Sequence, residues 1–67
     1  MRLMRDGDEM TAGQVIGEGG ETVMRLVSLH PDRDRVIVDY ESPWGVATRE
    51  CLAAAIGAEF VADEDEP

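Results

Sequence analysis

The sequence predicts a mainly β (β-rich α+β) domain: a small, curled antiparallel sheet with one short helix late in the chain. Three observations carry this. Thr22 to His30 and Arg35 to Glu41 alternate apolar and polar residues with the period of a strand. The segment between them, Pro31-Asp32-Arg33-Asp34, has the composition of a compact turn. Ala53-Ala54-Ala55 are good helix formers, whereas Gly45, Val46 and Thr48 before them are poor ones.

Taken in order, residues 1–10 mix Met, Arg, Asp and Glu without a clear period, which predicts a short edge strand or a loose arm. Gly13 to Glu18 reads as a strand with Val15 and Ile16 on opposite faces. Gly17-Glu18-Gly19-Gly20-Glu21 reads as a turn, because glycine reaches positive φ without steric cost. It lacks the Gly-Lys-Ser/Thr ending of a phosphate loop, and its two glutamates would repel phosphate.

The hairpin follows. Pairing His30 with Arg35 sets Leu29 opposite Val36, Val27 opposite Val38 and Arg25 opposite Tyr40, with Val23 on the same face. That face is nearly all apolar and β-branched, as a core-facing sheet requires. The other face pairs Ser28 with Ile37, Leu26 with Asp39 and Met24 with Glu41. Met24, Leu26 and Ile37 then form an apolar strip edged by carboxylates. It either enters a second layer of core in a curled barrel or stays exposed as an interface.

Ser42 to Gly57 admits two readings. In the favoured one, Ser42-Pro43-Trp44-Gly45 is a turn and Val46 to Glu50 a strand. A short helix near 51–56 and a last strand, Glu59-Phe60-Val61, follow. In the fallback, a three-stranded sheet is covered by a helix over 43–56, capped by Ser42 and stopped by Gly57. The favoured layout of curled hairpins, then a helical turn before the final strand, resembles the SH3-like small barrels. The resemblance covers about residues 11–62 and implies a partly open barrel as architecture, with no function attached. Residues 1–62 are expected as one domain and 63–67 as an acidic disordered tail.

Charge bounds the partners. Fifteen acidic residues face six arginines and no lysine, for a net charge of -9. Residues 1–62 alone hold 11 acids and six arginines, so the body is acidic without its tail. Such a field repels nucleic acid and anionic membrane and attracts a basic protein surface. The first residues lack the apolar run of a secretory signal, so a cytoplasmic location is expected.

Chemistry has little to work with. Cys51 has two charged near neighbours that cancel, Arg49 and Glu50, and reads as a buried filler rather than a nucleophile. His30, Asp32 and Asp34 are a poor metal cage in a flexible turn; no metal or cofactor is expected. Sixty-seven residues leave scant volume for a catalytic cleft, and no triad spacing is present, so no enzyme is expected.

Asp32 and Asp34, and Asp39 and Glu41, are spaced two apart, which in a strand is about 6.6 Å on one face. That approximates the interval between successive phosphates of a nucleic-acid strand. The expected function is therefore a non-enzymatic, acidic protein-binding module. Its sharper form is a nucleic-acid mimic that occupies the basic groove of a nucleic-acid-binding protein. As a class, the chain is similar in size and charge to phage-encoded inhibitors. The expected contacts are Asp32, Asp34, Asp39, Glu41, Glu18 and Glu21, with Trp44, Met24, Leu26 and Ile37 as apolar anchors. The alternative is a small accessory subunit or homodimer without mimicry. A third account treats the acidity as an adaptation to a high-salt cytoplasm.

Overall fold

Asp6 and Gly7 both adopt positive φ, 53° and 84°, and fold the first residues into a hairpin. Its strands are β1 (Arg2–Arg5) and β2 (Asp8–Met10) in this computed structural model, which describes residues 1–62. The acidic run expected as a tail lies outside the described residues. Residues 1–10 supply the expected edge strand, β2, and no loose arm. β1 is the central strand of a three-stranded antiparallel sheet, between β2 and the last strand, β7 (Glu59–Val61). Asp-Gly is a strong hairpin signal, and here it sets Leu3 opposite Met10, both buried.

A second antiparallel sheet holds β3 (Val15–Gly19), β4 (Thr22–His30), β5 (Arg35–Ser42) and β6 (Gly45–Leu52), in that order. The architecture is mainly β, in two sheets, and the expected partly open barrel is not closed. Strand pairing lapses between Met10 and Val15, where Gly13 turns at φ 92°. There the backbone bonds to β4 instead: Gly13 N–H donates to the Leu26 carbonyl at 2.7 Å, and Leu26 N–H to Gln14 at 2.9 Å.

The central hairpin begins in the expected register, with His30 opposite Arg35, Leu29 opposite Val36 and Ser28 opposite Ile37. A bulge at Val27 then shifts it. Leu26 pairs with Val38, Arg25 with Asp39, and Met24 with Tyr40. Shifting by one residue exchanges the faces of a strand. Val27 and Arg25, expected in the core, therefore turn outward, and Val27 is 39% exposed. Leu26 takes the core position at 0% exposure, and Met24 packs beside it. Leu29, Val36, Val38 and Tyr40 remain on the inner side, as expected.

Late in the chain, β6 runs unbroken from Gly45 to Leu52, which excludes the fallback helix over 43–56. The short helix expected near 51–56 is not formed either. Cys51 and Leu52 are still strand, opposite Val36 and Arg35. β-Branched Val46 and Thr48 suit this sheet. What remains is a single 3-10 turn, Ala53–Ile56, closed by Gly57 at φ 73°. Six residues separate Leu52 from Glu59, too few for an α-helix and the return to β1.

One core joins the two sheets. Leu3 and Met10 of the first meet Ile16, Leu26, Val36 and Val38 of the second, with Ala53 and Ala58 filling the end. Arg5 ties the layers with a fork: one guanidinium nitrogen donates to the Ile16 carbonyl at 2.9 Å, the other to Ile56 at 3.4 Å.

Candidate acidic binding surface

On the outer face of the four-stranded sheet, Asp39 and Glu41 project two residues apart along β5, as the sequence predicts. Both have partners. Glu41 accepts a bond from Arg25 Nε at 2.9 Å, and Asp39 accepts one from the Thr48 hydroxyl. Arg25 also donates to the Gly13 carbonyl at 2.9 Å. Glu50, next along this face, lies 3.5 Å from Arg33 and 3.7 Å from Arg35. The bulge that turned Arg25 outward thus set a cation among these carboxylates. Replacing Glu41 with Gln should lower stability by less than about 1 kcal/mol, because both side chains are wet. A chemical denaturation midpoint checks this.

Asp32 and Asp34 do not continue that row. They stand at the β4–β5 turn, in and just after the 3-10 turn Pro31–Arg33. Asp34 adopts φ 58°, and its carbonyl accepts the Ala53 N–H at 3.0 Å. Glu18 and Glu21 flank the β3–β4 turn at the other end of β4, with Glu18 opposite Val23. The predicted acids therefore form three groups: one at each end of β4 and one on the sheet face.

The predicted apolar anchors also separate. Leu26 is fully buried and Met24 packs on the core, so the strip Met24–Leu26–Ile37 does not exist as a surface. Ile37 alone keeps the outer face, between Ser28 and Glu50. Trp44 is 81% exposed at the β5–β6 turn. Its backbone N–H donates to the Ser42 hydroxyl at 3.3 Å, which fixes the turn but leaves the indole in water. Cys51 packs partly against the core. His30 bonds to the Ser28 hydroxyl at 3.0 Å.

A different site emerges on the three-stranded sheet. Glu9, Met4 and Glu59 lie side by side across β2, β1 and β7 and share its outer face. Next to them is an open concavity of about 300 Å³. Met4, Ala54 and Ala58 give it apolar walls, and Asp6 and Glu59 give it carboxylates. It sits at the lower limit of small-molecule sites. An apolar wall with carboxylates beside it suits a long basic side chain, whose stem is apolar and whose head is charged. The sequence held one signal for it, the Asp6-Gly7 turn, which folds the hairpin that frames the hollow.

Among the described residues, no three His, Cys, Asp or Glu side chains gather as metal ligands. No helix there is long and apolar enough to cross a membrane. No protein-family model matches the chain, and no curated protein or solved structure matches it.

Proposed function

We propose that this chain is a non-enzymatic protein-binding module whose acidic surface docks on a basic protein. The observation that carries the reading is the hollow lined by Asp6 and Glu59 over Met4, Ala54 and Ala58. Neither carboxylate has an ion-pair partner among the described residues. Asp8, Glu9, Glu18, Glu21, Asp32 and Asp34 are likewise without one there, and they spread the field around the body. This field speeds encounter, and apolar contacts hold the complex.

The narrower reading, a mimic of the phosphate backbone, has its spacing in Asp39 and Glu41. Its charge is offset by Arg25, and Glu50 is offset by Arg33 and Arg35. Protein docking on the opposite sheet is the better supported form.

The test replaces Asp6 with Asn and Glu59 with Gln together. Asparagine tolerates the left-handed backbone that Asp6 adopts, so the hairpin should persist. From nuclease-treated host extract, the unmodified chain should retain a basic protein at low salt and release it at about 0.5 M, where screening is within a few ångströms. The double variant should retain roughly tenfold less, a loss of about 1.4 kcal/mol. Equal retention would reject this hollow as the contact, and retention of no basic protein would reject the reading.

A further inference from the structure

β6 is an edge of the four-stranded sheet. β5 pairs with one side of it, and among the described residues nothing pairs with the other. Edge strands are normally short, interrupted by proline or loaded with charge. β6 is eight residues long, has no proline, and carries one Arg and one Glu that cancel. Exposed apolar groups also stand along it: Trp44 in the turn (81%), Val46 (62%) and Leu52 (47%).

The ladder shows which backbone groups are free. Ala53 N–H donates to the Asp34 carbonyl, one step beyond the pairs Leu52–Arg35 and Cys51–Val36. Alternate residues of an antiparallel strand face opposite neighbours. Ala47, Arg49 and Cys51 therefore bond to β5, whereas Val46, Thr48, Glu50 and Leu52 point their N–H and C=O away from it.

We infer that this edge pairs with β6 of a second copy, antiparallel, about a two-fold axis at Thr48. Side-chain charge selects that register. Centring the axis on Arg49 sets two guanidinium groups opposite each other, and centring it on Glu50 does the same with two carboxylates; both are unfavourable. Centring it on Thr48 sets Thr48 against Thr48, Val46 against Glu50 and Ala47 against Arg49. It also brings Trp44 of each copy level with Leu52 of the other. Centring it on Ala47 leaves Leu52 unpaired. Of these four, only the Thr48 register avoids like charges and covers all three apolar groups. The contact is isologous, so it closes at two copies and joins two four-stranded sheets into one of eight. It is independent of the acidic hollow, which lies on the other sheet.

Cysteine cross-linking tests the register. In a Cys51→Ala background, Thr48→Cys places two thiols across the axis at a hydrogen-bonded pair. Cα atoms of such a pair are about 5.5 Å apart, which suits a disulfide. Glu50→Cys, two residues along, places them well beyond the roughly 7 Å limit. In a glutathione redox buffer the first should become mostly covalent dimer, and the second roughly tenfold less. Sedimentation equilibrium of the unaltered chain should show reversible dimers, and Thr48→Arg, which brings like charges onto the axis, should abolish them while circular dichroism stays unchanged. Sedimentation as a monomer up to near-millimolar concentration would overturn the inference. So would equal cross-linking by the two cysteines.

Discussion

Leu26→Ala should destabilise the domain by about 2–5 kcal/mol, the range for truncating a fully buried leucine. Val27→Ala, one residue along, should cost less than about 0.5 kcal/mol, as surface changes do. The contrast follows from the bulge, which places Leu26 at 0% exposure and Val27 at 39%. A core in a domain this small rarely supplies more than about 3–5 kcal/mol in total. Leu26→Ala should therefore leave much of the protein unfolded at room temperature. Urea titration followed by circular dichroism measures both variants. A larger loss for Val27→Ala would mean that the ladder runs straight from Arg35 to Tyr40, with the inner and outer faces of β4 exchanged.

Arg5→Met should be the next most damaging change, at about 1.5–3 kcal/mol, the range for hydrogen bonds that involve a charged group. Methionine keeps the apolar stem and removes the fork. The carbonyls of Ile16 and Ile56 then lose the donor that links the three-stranded sheet to β3 and to the 3-10 turn. Arg5→Lys should recover only part of the loss, since an ammonium cannot reach two carbonyls with fixed planar geometry. Differential scanning calorimetry of the three proteins would show the order. A midpoint for Arg5→Met equal to that of the unmodified chain would mean that the fork adds nothing.

Much of the sheet was legible in the residues. Pro31 to Asp34 marked a turn, and the pairs nearest it, His30 with Arg35 and Leu29 with Val36, are found as expected. Val46 and Thr48 marked a strand that the structure extends to Gly45–Leu52. The bulge was not legible, because Leu26 and Val27 are adjacent and equally apolar. Alternation cannot say which of two such neighbours faces inward. Packing decides it, through Gly13 and Gln14, whose backbones bond to Leu26 from outside the hairpin. The Ala53–Ala55 run misled for a related reason: helix propensity is local, while the short return to β1 is a tertiary demand. The candidate site was less legible than the fold. Trp44 could be placed in a turn, and it is exposed there. The hollow draws on Met4 and Asp6 from one end of the described residues and on Ala54 and Glu59 from the other, which become neighbours only because β7 returns to β1.

That return governs how the domain can be made. Leu3 leaves the ribosome 57 residues ahead of Phe60, its partner across the ladder. Until then the innermost strand of its layer has a neighbour on one side only, and the nascent domain keeps greasy surface uncovered. Distant pairings of this kind close slowly. Emergence of Glu59–Val61 from the tunnel, more than any local nucleation, should thus mark the moment at which the polypeptide becomes protease-resistant.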